Sequence, residues 1–321
     1  MSIKIALLGF GTVGKGTYRA LYVNKDEIKR KTGLDIEVSR ILEKNPKAIE
    51  SGIAPKEVFT QNYDDILSDS DIKVVVEMMG GINPATDFML KALNAGKSVV
   101  TPNKAAVAAG YDVLHKAADD NGVLLRYEAS VCGAIPVIGA INKQLVANEF
   151  TKIEGIVNGT TNYILTRMQE EGLSYDAALK QAQEKGFAEA DPTADVEGID
   201  AANKLTILMA EAFGVYIKPD AFERKGITQI TAEDIKEAEK QNCRIKLIAR
   251  AQRKEGKIEA SVKPQLIPCE SPLAQIRNEF NGILLSCNMA DDIFLSGRGA
   301  GMDPTGSAVA GDIVEIAGCI K

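Results

Sequence analysis

The chain has 321 residues, 45 % of them hydrophobic, with a formal net charge of -6 and one histidine. That length allows two domains with sizeable cores, and no apolar run approaches the roughly 20 residues a membrane span needs. Lys and Arg are dispersed rather than gathered in a basic stripe, which argues against a nucleic-acid partner.

Met1-Ser2-Ile3-Lys4-Ile5 runs directly into a strand pattern, so no signal peptide and a cytoplasmic protein are expected. The cysteines (Cys132, Cys243, Cys269, Cys287, Cys319) are odd in number and widely spaced, without a Cys-x-x-Cys pair. They form neither a disulfide framework nor a zinc site and read as small hydrophobes, with Cys319 the one expected to be exposed. His115 lies in GYDVLHKAADDNG, an amphipathic pattern ending at Gly122, and reads as structural or solvated. With no second histidine, acid–base chemistry near neutral pH falls to Lys, Glu, Asp, Tyr or water.

In chain order, a buried strand over Ile3 to Leu8 meets a turn at Gly9-Phe10-Gly11 and a helix from Thr12 to Leu21. After an insertion from Val23 to Leu34, strands are expected over Ile36 to Leu42 and Val74 to Val76. Asn83-Pro84 reads as a cap followed by proline at the first position of a helix reaching Gly96. Strand Ser98 to Thr101, the His115 helix and strand Leu124 to Tyr127 continue the alternation, which predicts a parallel, doubly wound α/β sheet. The pattern then changes. Expected next are an apolar helix over Ile135 to Val146, a strand over Ile153 to Val157 and a helix entered through Asn158-Gly159-Thr160-Thr161-Asn162, capped by Thr160 or Thr161. Helices over Ser174 to Gly186 and Gly198 to Phe213 flank an acidic loop. Beyond Cys243 the signal is strand-rich, with a hairpin at Lys254-Glu255-Gly256-Lys257, strands over Ile283 to Cys287 and Ile293 to Leu295, and a last helix from Pro304 to Ala317. This gives a dinucleotide-binding domain over 1–130, and an α+β substrate and dimerisation domain over 131–303 with a mostly antiparallel sheet. The helix over 304–321 is expected to pack back on the first.

Five clusters carry the chemistry. Gly9-Phe10-Gly11-Thr12-Val13-Gly14 follows the first strand and opens the first helix, the context of a Rossmann-type fingerprint. Gly9 makes the turn, Gly11 admits a pyrophosphate, and Gly14 lets helix and strand approach. At the end of the second strand Glu43 favours NAD by bonding the ribose, whereas Lys44 and Arg40 favour NADP, and the choice stays open. Lys104 in Thr101-Pro102-Asn103-Lys104 follows the fourth strand, where open sheets bind ligands, and a lysine at a helix start is electrostatically unfavourable without a function. Asp200 and Lys204, four apart on an otherwise apolar helix, share a face, and such a pair is expensive unless a site requires it. Tyr127 to Pro136 includes Cys132, which could serve as a thioester-forming nucleophile, although no histidine is placed by sequence to activate it. Ser296-Gly297-Arg298-Gly299-Ala300-Gly301 reads as a glycine-rich turn opening the final helix.

GFGTVGKG, TPNKAA, YEASVCGAIP, GIVNGTTNYIL, AEADPTADVEGIDAANKL and GRGAGMDPTGSAVAGDI occur in the order seen in homoserine dehydrogenases, and the chain resembles that family along essentially its whole length. The resemblance implies NAD(P)-dependent interconversion of L-homoserine and L-aspartate 4-semialdehyde, on the branch to threonine and methionine, by a homodimer. It implies Lys204 as proton donor with Lys104 as its partner, and Glu189 and Asp200 on the substrate, with Asp195 nearby. Asn158 and Thr161 would lie at the amino-acid end of the site and Gly301 on the cofactor. A monovalent cation, sodium, would be held by Glu128, Val131, Gly133 and Ile135, mostly through carbonyls, with Cys132 where a glycine is common. Ending after GDIVEIAGCIK, the chain resembles the short form without the C-terminal ACT regulatory domain.

Overall fold

A computed structural model describes residues 2–320. The chain divides into two compact units, one formed by the residues up to Ala134 together with those from Ala300 on, the other by Ile135–Gly299.

The first unit begins with β1 (Ser2–Leu8), α1 (Thr12–Val23), α2 (Lys25–Thr32) and β2 (Asp35–Leu42). The short elements α3 (Pro46–Ile49), β3 (Phe59–Thr60) and α4 (Asp64–Leu67) lead to β4 (Ile72–Glu77). There follow α5 (Ala85–Asn94), β5 (Ser98–Val100), α6 (Lys104–Asp120) and β6 (Leu125–Arg126). The strands lie in the order β3-β2-β1-β4-β5-β6 and every pair is parallel. Strand order reverses at β1, so its carboxyl end is the switch point at which such sheets bind ligands. A parallel sheet is covered on both faces, which is why its strands need unbroken apolar runs. Ile5 to Leu8 and Val74 to Val76 are all fully buried.

The second unit contains α7 (Val137–Gly139), β7 (Phe150–Ile156), α8 (Gly159–Glu171), α9 (Tyr175–Glu184), α10 (Thr193–Val196) and α11 (Ile199–Phe213). β8 (Glu223–Arg224), α12 (Ala232–Lys240), β9 (Cys243–Lys254), β10 (Lys257–Pro268), β11 (Phe280–Cys287) and β12 (Asp292–Arg298) complete it. Its sheet runs β12-β11-β7-β9-β10-β8, antiparallel except for the short β10–β8 pair. The β9–β10 hairpin turns at Glu255 and Gly256, both with positive φ, the backbone a two-residue turn requires.

The final helix, α13 (Met302–Cys319), belongs to the first unit. Val309, Ile313 and Ile316 join Ile5, Leu7, Phe10 and Val74 in one apolar cluster. A Cβ on Gly306 would come within 2.3 Å of the Gly16 carbonyl carbon, so glycine at both positions lets α13 lie directly on α1.

Several local expectations are corrected. The insertion from Val23 to Leu34 carries α2, which buries no residue and so shows no apolar periodicity; Glu27 bridges Arg30 and Lys31 along it instead. Pro84 rather than Asn83 is the cap residue of α5, so the helix starts one position later than expected, and no side chain caps it. The span from Ile135 to Val146 is no single helix: α7 passes into a wide π-type turn over Ala140–Gln144, with the amide of Leu145 bonded to the carbonyl of Ala140. Pro136 and Gly139 both weaken regular helix there. Ser296 to Arg298 end a strand rather than form a turn, and Gly297 is small because a Cβ would crowd Ile135 at 3.2 Å.

Candidate active site

At the carboxyl end of β1 the glycine turn has the geometry that a dinucleotide needs. Gly9 has φ of +95°, and a Cβ there would sit 2.9 Å from the carbonyl oxygen of Met78. Gly14 can carry no Cβ because the carbonyl oxygen of Gly9 would lie 2.4 Å away. Gly11 has open space where its Cβ would be and caps α1 without a side-chain hydrogen bond, leaving that helix N-terminus to a phosphate. Thr12 and Val13 form its first turn. Phe10 turns inward, fully buried, edge-on to Tyr18 and Phe59.

Glu43 stands beside this turn. Its carboxylate accepts from the backbone N–H of Phe10 at 2.7 Å and from those of Lys44 and Asn45, each at 2.8 Å. The side chain therefore ties the end of β2 to the glycine loop, and most of its acceptor capacity is spent on backbone. Lys104 is the first residue of α6, whose cap Asn103 accepts from the N–H of Ala106. Gly301, at φ +122°, opens α13 with no side-chain cap.

In the second unit the NGTTN segment joins β7 to α8. Asn158 is the cap, its Oδ1 accepting from Thr161 N–H at 2.9 Å and from the Thr161 hydroxyl at 3.0 Å. The expected Thr160 or Thr161 cap is thus replaced, because the asparagine side chain reaches the third amide of the helix from outside it. Thr160 donates its hydroxyl to the carbonyl of Phe187. The Asn158 amide nitrogen donates to Asp195 at 2.7 Å and to Asp200 at 2.8 Å. Lys204 donates to Asp200 at 2.7 Å and to the carbonyl of Val157 at 2.7 Å, and both members of this ion pair are buried. One ammonium and two carboxylates are thus gathered around one asparagine. Burial pushes the Asp195 carboxyl above the usual range, with the nearby Asp200 charge adding to the rise and the Asn158 hydrogen bond opposing it. Asn158 and Thr161 are both nearly inaccessible and spend their polar atoms inside the cluster. Glu189 is exposed, and among the described residues no hydrogen bond joins its carboxylate to this group.

Around Glu128 the chain makes a single 3-10 turn ending at Ser130, then passes through Cys132 and Gly133 with φ of +57° and +55°. Cys132 therefore adopts the backbone that a glycine would favour. Among the described residues no N–H donates to the carbonyls of Val131 or Gly133, whereas those of Glu128 and Ile135 accept from Val131 and Val137. No cluster of three or more His, Cys, Asp or Glu among the described residues could hold a metal.

Two residues with evident roles escaped the sequence reading. Glu77, which ends β4, is fully buried, and Lys246 in β9 is 2 % exposed. The available signal was a charge interrupting or closing an apolar strand.

The family model for the homoserine dehydrogenase NAD-binding domain matches residues 9–128, and the homoserine dehydrogenase model matches 136–314. The chain belongs to the homoserine dehydrogenase family. The homoserine dehydrogenase of Bacillus subtilis is 39 % identical over 98 % of this chain and 73 % of its own length. The crystal structure of a homoserine dehydrogenase from Thiobacillus denitrificans matches with a TM-score of 0.96 at 42 % identity, over 99 % of this chain and 73 % of that one. A hyperthermophilic archaeal homoserine dehydrogenase in complex with NADPH matches with a TM-score of 0.83 at 28 % identity, over 100 % of this chain and 99 % of that one.

As a homoserine dehydrogenase the protein is an NAD(P)-dependent oxidoreductase that interconverts L-homoserine and L-aspartate 4-semialdehyde. A thioester mechanism at Cys132 finds no support in the site, since that thiol is fully buried. The one histidine is engaged elsewhere: His115 Nδ1 donates to the carbonyl of Tyr111, which leaves Nε2 to accept from the Tyr127 hydroxyl, each at 2.8 Å. No described helix is long and apolar enough to cross a membrane.

Proposed function

We propose that Lys204 is the proton donor of the homoserine dehydrogenase reaction, and the observation that carries this is its buried ion pair with Asp200. Reduction of an aldehyde needs a proton for the alkoxide that develops on the carbonyl oxygen. The nicotinamide cofactor supplies the hydride when bound. Lys204 offers both the proton and a positive charge at that oxygen, and Asp200 with the Val157 carbonyl fixes its direction. In the oxidative direction the same nitrogen takes the hydroxyl proton back. Asp200 and Asp195 give the pocket an excess of negative charge that suits the substrate's ammonium, with Glu189 as a further carboxylate for the same end. Asn158 acts by holding these carboxylates in place, and Thr161 by holding Asn158. Lys104 serves as a second cation near the reacting carbon.

The cofactor is held by Gly9, Phe10, Gly11, Thr12, Val13 and Gly14, with Glu43, Lys44 and Gly301 around it. NADH and NADPH assayed in parallel decide which of Glu43 and Lys44 governs the ribose end. The carbonyls of Val131 and Gly133, with Glu128 and Ile135, would bind sodium. The enzyme works as a cytoplasmic homodimer, which sedimentation checks for its assembly. Lys204→Ala should nearly abolish turnover of aspartate semialdehyde while NADPH binding, read from the quenching of its fluorescence, persists. Full activity in that variant would sink the assignment.

A further inference from the structure

Glu77 is a carboxylate that water does not reach, and among the described residues no Lys or Arg pairs with it. Such a group is costly to bury unless every lone pair is used. Its Oε1 accepts from the N–H of Met79 at 2.7 Å and from that of Gly80 at 3.3 Å, and its Oε2 accepts from the Thr101 hydroxyl at 2.7 Å. The Thr101 oxygen in turn accepts from Asn103 N–H at 3.0 Å. Asn103 donates its side-chain amide to the carbonyl of Gly81 at 2.7 Å and caps α6 at Lys104. These bonds close a ring that joins the segment leaving β4 to the segment leaving β5. The β4 exit also touches the glycine turn, because Met78 N–H bonds the carbonyl of Leu8 and its own carbonyl lies against Gly9.

We propose that Glu77 is a positioning residue of the reaction: it locks the β4 and β5 exits together and so fixes where α6, and Lys104 at its start, meet the cofactor's side of the sheet. The inference rests on the reading of Lys104 as a group that acts at the reacting centre. A buried carboxylate is suited to this task because one group can accept from three donors on two segments, which no apolar residue could do. Glutamine is nearly isosteric, but its amide nitrogen would donate to the Thr101 oxygen, which leaves the Thr101 proton without its acceptor and replaces a charge-assisted bond by a neutral one.

The experiment is a double-mutant cycle on the full-length enzyme with Glu77→Gln, Thr101→Val and their combination, beside Thr101→Ser and Lys104→Ala. A shift of the lysine by a fraction of its working distance should lower kcat by about tenfold to a hundredfold in Glu77→Gln. The homoserine KM should move far less. Thr101→Val should match that loss, Thr101→Ser should restore most of it, and the double variant should be no worse than either single one, because both break the same ring. The proposal is overturned if the two substitutions only lower the melting temperature, additively, with kcat retained. If Lys104→Ala keeps full turnover, the reading of Lys104 falls and the proposal with it. If Lys104→Ala is inactive while Glu77→Gln is not, the proposal alone falls.

Discussion

Replacing Lys246 by methionine should remove a pH dependence of stability that the native chain carries from neutral to alkaline pH. The Lys246 nitrogen lies within the second unit and donates to Asn162 Oδ1 at 2.8 Å and to the carbonyl of Ile276 at 2.6 Å. Two acceptors match the two N–H bonds of a neutral amine, and a third hydrogen would face no partner. Burial, reinforced by the charges of Arg244 and Arg277 and opposed by Glu170, holds the ammonium down from 10.5 to about 7. Unfolding returns it to the ordinary lysine value, so the unfolded chain binds the extra proton between those two limits. Stability from this group is then complete above the unfolded pKa and is lost as pH falls toward the folded one. Between about pH 7 and about pH 10 the linkage amounts to about 3–4 kcal/mol. Urea unfolding followed by circular dichroism at several pH values, native against Lys246→Met, measures it: the native midpoint should climb with pH relative to the variant. Groups common to both chains cancel in the difference. Parallel curves for the two proteins, or an NMR titration placing Lys246 near 10.5, would refute the reasoning.

Asn158→Ala removes the cap of α8 and the donor shared by Asp195 and Asp200. It should cost about 2 kcal/mol in urea unfolding and also raise the homoserine KM, because the two carboxylates lose their common tether; unchanged values of both would count against the cluster. Gly306→Ala should destabilise by about 3 kcal/mol or more, since its new Cβ meets α1 backbone. Gly311→Ala, with open space around its Cβ, should be neutral or stabilising by a few tenths of a kcal/mol. Equal melting temperatures for these two variants would contradict the close packing of α13 on α1.

Much of the site could be read before any coordinates. The glycine spacing, the strand before it and the helix after it are local features with local causes, and Asp200 and Lys204 are neighbours by helical pitch alone. Asn158 was legible as part of a polar segment but not as the cap, because which side chain reaches which amide depends on backbone angles. Helix α2 was hidden for the opposite reason: an exposed helix held by charge pairs carries no apolar period.

The sequence by itself determined the alternation of strands and helices, the dinucleotide turn and the family, since each rests on residues close together in the chain. Only the tertiary structure decided that Asn158 bridges two carboxylates some forty positions away, and that Glu77 joins two strand exits. It also decided that Lys246 is buried against Asn162. The cost of burying a charge or an amide is set by its surroundings, and those surroundings are assembled by folding from segments that are distant in sequence.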